Sequence, residues 1–361
     1  MASGMKSWTG PKCRLQISSD NSYHMTRIMA APVHRRNVSE MIRKYQIQGG
    51  LVKTKPDENR MISYNRLCDI LNKLAFGNIF QPATLFWRLF EIEALVRKTR
   101  MRGRILDLGC GDGRVSSTMF SCAQHSSDKK ETNTLIGIDP DIEDSANAKR
   151  SGFYERVHTC SASAIPEENG SFYFCFANSV IEHIPNIDEV LKEVSRVLKP
   201  YGKFIFTVPS TEFERLMKTS RFWAEKFSGG DLEKYSRMMN TRLAVYHYFD
   251  HKETEAMLKN VGLEIIQEEY YFPESAVRMW ESISNHTAGY AYRLFGSDVK
   301  PHAIQKKTGL LRLQYAIPRS VQTTILSSFL KPKIKKVLEN AERDKIYGGY
   351  LVIAQKLSSA Q

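Results

Sequence analysis

Apolar residues along this chain follow two rhythms, and the changes between them mark its elements. Before residue 102 the spacing is helical. Ile70, Leu71, Leu74 and Phe76, then Leu85, Phe86, Leu89 and Phe90, recur three or four positions apart, and Pro82 punctuates them. From Arg104 onward, short apolar runs alternate with helical stretches. Ile105–Leu108, Leu135–Asp139, Arg156–Thr159, Phe172–Ala177 and Lys203–Val208 predict five strands, and Asp188–Leu198 predicts a helix stopped by Pro200-Tyr201-Gly202. This βαβα order predicts an α/β fold with a doubly wound, mostly parallel sheet and helices on both faces.

After Pro209 the rhythm breaks. Residues 211–250 predict an inserted helical cap, polar but dotted with aromatics. A helix at Glu253–Val261 and a sixth strand at Glu264–Tyr271 follow, then a largely helical insertion over 275–343. Tyr350–Ala354, after the Gly348-Gly349 turn, predicts the last strand. The organisation expected is a basic, flexible N-terminal extension over 1–59 and one catalytic domain over 60–357. No apolar run approaches the roughly 18 residues of a membrane-spanning helix.

Charge changes this picture in one respect. The formal net charge is +13, but residues 1–49 hold eight Lys/Arg against two acids and 297–345 hold eleven against four. The centre of the chain is close to neutral. A nucleic-acid enzyme would carry its basic face beside its active site, so nucleic acid is a disfavoured partner. The acid-poor, serine-dotted segment 1–49 has the composition of an organelle transit peptide; without one, a cytoplasmic location is expected. Basic and apolar residues mix over 309–338, a pattern that suits peripheral contact with an anionic membrane. The six cysteines form no CxxC pair and no cluster with zinc spacing, so reduced thiols and no metal are expected.

The chemistry concentrates in Asp107-Leu108-Gly109-Cys110-Gly111-Asp112-Gly113, which ends the first strand and opens a helix. Alternate glycines let the backbone turn sharply and keep side chains from a ligand lying on the main chain. The dinucleotide fingerprint G-x-G-x-x-G is the nearest rival. Gly109 and Gly111 fit it, but Arg114 holds the third position and the glycine falls one residue early, at Gly113. Asp107, two residues before the first glycine, favours a cationic ligand over a pyrophosphate. Asp139 ends the second strand, where a carboxylate can accept both hydroxyls of a ribose or cap the next helix behind Pro140.

From Arg104 to Ser210 the chain resembles the class I methyltransferases, in particular the small-molecule group that includes ubiquinone/menaquinone-type enzymes. The matching pieces are RILDLGCGDG (104–113), IGIDPD (136–141), ASAIP (162–166), ANSVIEHI (177–184) and VLKEVSRVLKPYGKFIFTVPS (190–210); GGYLVIAQK (348–356) is similar to that fold's antiparallel last strand. The resemblance implies a Rossmann-like, seven-stranded sheet and S-adenosylmethionine as cofactor. It implies that Gly109, Cys110, Gly111 and Gly113 line the methionine part, Asp107 lies near its ammonium, and Asp139 binds the ribose. Ser161 and Ala162 would meet the adenine edge, and Asn178 and Ser179 would lie beneath the sulfonium. Two positions depart from the family pattern: Ser161 and Tyr173 stand where acids are common.

Methyl transfer needs alignment first and a base only for some acceptors. His183, after the fourth strand, and His247, where the cap returns to the sheet, are the candidate bases. The alternative for the Glu182-His183 pair is that it holds its loop, and for His247 that it is a satisfied core histidine. Aromatics of the insertions, including Phe222, Trp223, Tyr246, Tyr248, Phe249, Trp280, Tyr290 and Tyr292, either line an apolar substrate pocket or form the cap's own core. The function expected is methyl transfer to a small-molecule, lipid or sugar-conjugate acceptor. The rivals are an RNA or protein methyltransferase using the basic flanks and a non-catalytic cofactor-binding protein.

Overall fold

The computed structural model describes residues 62–123, 133–289 and 309–358. The chain divides into two units, Met1–Asn59 and Arg60–Gln361. The first unit, with the expected N-terminal extension and transit-like segment, lies outside the described residues, as do Tyr290 and Tyr292. All described elements belong to the second unit.

Among the described residues, two helices precede the sheet. Helix α1 (Tyr64–Leu74) starts where the Ser63 hydroxyl accepts from the Arg66 amide at 3.4 Å, and α2 (Pro82–Lys98) starts on Pro82, whose missing N–H is no loss in a first turn. The alternating region then builds β1 (Arg104–Leu108), α3 (Arg114–Ala123), β2 (Thr134–Asp139), α4 (Ile142–Arg150), β3 (Arg156–Thr159), β4 (Phe172–Asn178), α5 (Ile187–Val197) and β5 (Leu198–Pro209). The cap is α6 (Thr211–Met217), α7 (Arg221–Ser228) and α8 (Leu232–Leu243). After it come α9 (His251–Lys259), β6 (Leu263–Pro273), α10 (Glu274–Ser284), α11 (Leu310–Ala316), α12 (Arg319–Ala341) and β7 (Tyr347–Lys356).

The seven strands lie in the order β3-β2-β1-β4-β5-β7-β6. All neighbours are parallel except those of β7, which runs antiparallel to both β5 and β6. Alternate side chains feed two cores. Ile105, Leu135, Phe176 and Ile205 face α1, α2 and the cap, whereas Leu106, Ile136, Cys175 and Phe204 face the side that α5 and α9 cover. The order reverses between β1 and β4. A doubly wound sheet opens its ligand crevice there, at the strand C-termini.

The cap leaves and rejoins the sheet at one point. Ser210 bridges Phe249, the Thr211 amide donates to the Phe249 carbonyl at 3.1 Å, and the Phe249 amide donates to the Pro209 carbonyl at 3.2 Å. A buried polar seam fastens it to α10. The Tyr235 and Ser220 hydroxyls each donate to Glu281 at 2.8 Å, and Arg242 donates to Asn285 at 3.0 Å and Ser284 at 2.6 Å.

Two local expectations change. Pro200-Tyr201-Gly202 predicts a break between a helix and a strand, but β5 already begins at Leu198. Tyr201 takes φ +63° there, and a Cβ on Gly202 would come within 2.8 Å of the Lys199 carbonyl oxygen. The punctuation therefore marks an irregular strand start. The helix cap after β2 is Asp141, whose carboxylate accepts from the amides of Glu143 at 2.8 Å and Asp144 at 2.9 Å. Pro140 stands outside that helix, and Asp139 is free for the loop next door.

Candidate functional site

The glycine loop is bolted to β2. Both the Gly109 and Cys110 amides donate to the Ile138 carbonyl, at 2.8 and 3.0 Å. The Gly111 amide donates to Asp139 Oδ2 at 2.9 Å, and Asp139 Oδ1 accepts from the Asp141 amide at 2.9 Å. Gly109, Gly111 and Gly113 have φ of +71°, +53° and +81°, the left-handed region. They are needed for different reasons. A Cβ on Gly109 would meet Val180 at 2.5 Å, and one on Gly113 would meet the Tyr154 ring at 2.8 Å. Among the described residues, a Cβ on Gly111 meets nothing within 4 Å beyond its chain neighbours, so this backbone faces open space. Cys110 is buried beneath the loop, burial pushes its thiol above the usual range, and its Sγ takes the room that Gly137 leaves.

Asp107 points under the loop. Its Oδ2 accepts from Ser116 Oγ and Tyr154 Oη, each at 2.5 Å. Burial pushes its carboxyl up to about 7 against those two hydrogen bonds, and the charge of Asp139 adds to the rise. Among the described residues neither Asp107 nor Asp139 has a cationic side-chain partner. An open glycine backbone edged by Asp139, with Asp107 buried beneath it, suits a cationic ligand and disfavours a pyrophosphate. These features fit S-adenosylmethionine, whose sulfonium and ammonium are both positive. Arg114, opening α3, spends its charge on Asp112 at 2.5 Å and donates to the Phe76 carbonyl at 2.9 Å.

Ser161 is exposed after β3, its hydroxyl 2.9 Å from that of Ser163, and Ala162 packs beside it against the second core. The Cys160 amide donates to the Asp139 carbonyl at 3.2 Å, so this turn stands next to the end of β2. Asn178 ends β4 and Ser179 follows it, but both side chains turn inward to Glu91. Asn178, oriented by its hydrogen-bond network, donates to the two Glu91 oxygens at 2.8 and 2.9 Å. The Ser179 hydroxyl also donates to Glu91, and Ser179 holds φ +50°, an uncommon conformation outside glycine. The Thr207 hydroxyl donates to Glu91 at 2.7 Å, and Arg88 forms its ion pair while donating to the Asn178 carbonyl at 3.1 Å.

Glu182 lies beside this cluster. It is buried, and among the described residues its Oε2 has no hydrogen-bond partner. Burial pushes its carboxyl up to about 8; a backbone hydrogen bond opposes the rise and nearby Glu91 adds to it. A raised carboxylate favours the folded state fully below its unfolded pKa of 4.5 and loses that advantage as pH climbs to about 8. Glu182→Gln is expected to remove this slope. Relative to the parent, the variant should gain on the order of 2–4 kcal/mol between pH 4.5 and 8. Urea melts across that range check it; parallel curves would contradict the assignment.

His183 and His247 share one seam, between the loop after β4 and the return of the cap. His183 is partly exposed in the turn Ile181–His183. Its Nδ1 lies 3.0 Å from the Ala244 carbonyl and its Nε2 3.8 Å from Glu182. His247 Nε2 donates to the carbonyls of Ile184 at 3.1 Å and Pro185 at 3.2 Å. The Tyr246 amide closes the seam on the Glu182 carbonyl at 2.9 Å.

The aromatics divide. Phe222 and Tyr246 are exposed, and Phe249 belongs to the core on the α5 side. Trp223 packs on Phe227 and His286. Tyr248 and Trp280 join Trp87 and Phe213 in one cluster, with Trp87–Phe213 and Phe213–Trp280 centroids 5.5 and 5.2 Å apart. A cavity of about 830 Å³ lies elsewhere, between α2, β6 and α12, and is lined by Phe90, Tyr270, Phe272 and Leu338. Some of its charges pair with each other, as Arg97 and Lys98 do with Glu269 at 2.5 and 3.0 Å.

Sequence reasoning missed Arg88, Glu91, Tyr154, Gly137 and Thr207. Gly137, inside the quoted IGIDPD stretch, and Thr207, inside the quoted 190–210 stretch, lay in matching pieces; the other three carried no signal. Among the described residues no helix is long and apolar enough to cross a membrane, and no His/Cys/Asp/Glu group could hold a metal.

Comparison with known proteins finds methyltransferases. A sterol 4-C-methyltransferase of Caenorhabditis elegans is 36% identical over 104 residues, 28% of this chain and 29% of that protein. A ubiquinone/menaquinone biosynthesis C-methyltransferase of Rickettsia prowazekii is 28% identical over 137 residues, 36% of this chain and 54% of its own. The chain thus spans about a third to a half of the length of these relatives. The corresponding Rickettsia bellii protein is 24% identical over 235 residues, covering 61% of this chain and 92% of that one. Among solved structures, geranyl diphosphate C-methyltransferase from Streptomyces coelicolor is 12% identical with a TM-score of 0.44, covering 74% and 78% of the two chains. A family model described as a methyltransferase domain matches residues 64–268, more than half of the sequence. The chain belongs to this methyltransferase-domain family, whose members take their methyl group from S-adenosylmethionine.

Proposed function

We propose that this protein methylates a small, apolar, lipid-like acceptor held between the glycine loop and the helical cap. The observation that carries the reading is the cap itself. It rises from the end of β5, returns beside the loop after β4, and contributes Phe213 and Tyr248 to the aromatic cluster with Trp87 and Trp280. Phe213 and Trp280 are buried there and Trp87 and Tyr248 half-buried, and the half-buried rings offer an edge that takes apolar matter without charge. The sterol and quinone names of the relatives support the same acceptor class.

When bound, S-adenosylmethionine supplies a methyl group already activated by positively charged sulfur. The chain's residues do the rest. Gly109, Cys110, Gly111 and Gly113 shape the cradle, Asp139 pins it, and Asp107 supports it from below. Ser161 and Ala162 flank the position expected for adenine. Asn178 and Ser179 form the floor through their backbone, since their side chains serve Glu91. His183 and His247 hold the cap against the loop. An imidazole whose Nδ1–H meets the Ala244 carbonyl leaves Nε2 as the acceptor of a proton, so His183 is the better base of the two.

The test supplies labelled S-adenosylmethionine to the full chain with separate lipid, aqueous, protein and RNA fractions of a cell extract. Label is expected in the lipid fraction. Label confined to RNA or protein would refute the reading. His247→Gln should raise the acceptor KM with little change in cofactor affinity, and His183→Gln should lower kcat by about 100-fold if it takes a proton. Unchanged kcat in both variants would remove the base role.

A further inference from the structure

We propose that the outer face of α11 and α12 is a docking surface for an anionic lipid bilayer. Residues 299–338 hold nine Lys/Arg and no Asp or Glu. The fold sorts this segment into two faces. Gln322, Leu326, Leu330, Ile334 and Val337 are buried. Val321, Ile325 and Phe329 form an exposed apolar row one helical turn apart, and Leu313 and Tyr315 of α11 are exposed as well. Lys335 and Lys336 are exposed at one end of that row and Arg319 begins it at the other. Lys333 lies with its ammonium 3.8 Å over the Phe329 ring. Among the described residues Lys331, Lys335 and Lys336 form no ion pair.

An apolar row beside lysines that form no ion pair among the described residues, with Glu339 the one acid on the same helix, fits one occupant well. Acyl chains accept Ile325 and Phe329, and anionic headgroups accept the lysines. A polyanion such as RNA would use the lysines and leave the apolar row wet. A second copy of this face, or the N-terminal segment with its eight Lys/Arg against two acids, would meet it with the same sign of charge.

The face adjoins the cofactor loop. Tyr315 packs edge-on against Phe76 at 5.7 Å, and the Arg114 guanidinium lies 6.0 Å from its ring. Gln322 locks the two helices to the turn after α1, donating to the Gln314 and Ile317 carbonyls at 2.6 and 2.9 Å and accepting from the Gly77 amide at 2.9 Å. Docking would thus set the loop Asp107–Gly113 close to the bilayer surface. The proposal deepens the lipid-acceptor reading and rests on it for its purpose, while binding alone decides the surface.

The experiment sediments the full chain with vesicles of phosphatidylcholine alone and with about 30% phosphatidylserine, near 0.1 M salt and again at higher salt. Binding at least about tenfold stronger to the anionic vesicles, weakened by salt, is expected. Lys331→Glu, Lys333→Glu, Lys335→Glu and Lys336→Glu together should lower it by at least about tenfold, and Ile325→Asp with Phe329→Asp should do likewise. Calorimetric affinity for S-adenosylmethionine should be unchanged in both variants, which shows that they fold. Equal binding to both vesicle types, or variants that bind as the parent does, would overturn the proposal. So would retention on poly(U) by the parent and the Ile325/Phe329 variant alike without vesicle binding. Vesicle binding with no label in lipid would leave the surface standing and remove the acceptor reading; the converse would remove only the surface.

Discussion

Arg88→Leu is expected to cost about 3–5 kcal/mol of stability, because it strips the counter-ion from a buried carboxylate. Glu91 has no solvent-exposed surface. Ser179, Thr207, Asn178 and Tyr271 all direct polar hydrogens at it, and Arg88 provides its ion pair. Hydroxyls and an amide soften a buried charge but cannot cancel it. Leucine would leave Glu91 either charged without a partner or protonated, with the surrounding donors mismatched. The loss should therefore exceed that of Arg88→Leu combined with Glu91→Leu, in which both charges go together. Urea unfolding of the two single variants and the double variant gives the coupling directly. A loss below about 1 kcal/mol for Arg88→Leu would mean that the pair is solvent-screened and that the cluster is not an electrostatic unit. The same variant should disturb the floor of the crevice, since Ser179 keeps φ +50° while its hydroxyl is tied to Glu91.

Gly111→Ala is expected to separate folding from cofactor binding. In the left-handed region alanine costs about 1 kcal/mol. Among the described residues, no atom beyond the adjoining residues lies within 4 Å of the added methyl, so the loop can keep its shape. That methyl would occupy the space left for the ligand. Affinity for S-adenosylmethionine should fall by at least about 100-fold, roughly 2.7 kcal/mol, while the melting temperature drops by only a few degrees. Gly109→Ala provides the contrast. Its Cβ would meet Val180 at 2.5 Å, so stability and affinity should fall together. Calorimetric titration beside thermal melts distinguishes the two. Normal affinity in Gly111→Ala would place the ligand somewhere other than against this backbone.

Local information sufficed for the strands and the loop. Ile105–Leu108 and Leu135–Asp139 are short apolar runs that end in an acid or a glycine turn, and nothing distant has to be known to read them. The antiparallel last strand was legible only through resemblance, because periodicity cannot tell strand direction. The Glu91 cluster was illegible for a physical reason. Glu91 sits in a helix among apolar neighbours, where an acid looks like the polar edge of an amphipathic stripe. Its partners Ser179, Thr207 and Tyr271 lie 88, 116 and 180 residues away in sequence. Tyr154 was hidden in the same way, because its role depends on Asp107 and Gly113 meeting it across the sheet. Asp139 and Asp141 flank one proline and carry the same functional group. Only the direction of the following helix decides which of them caps it and which one holds the loop.

The position of β7 has a consequence for biosynthesis. It lies between β5 and β6, yet it is the last of the three to leave the ribosome. Until Tyr347–Lys356 is made, β5 presents an open edge and β6, which ends at Pro273, has no partner in the sheet. The half that carries the glycine loop can assemble early, with β1, β2, β3 and β4 already paired. The other half waits through the synthesis of α10, α11 and α12. Nascent chains stalled in that interval should be the most exposed to sticking to one another, and protease protection of β6 should arrive only with the final strand.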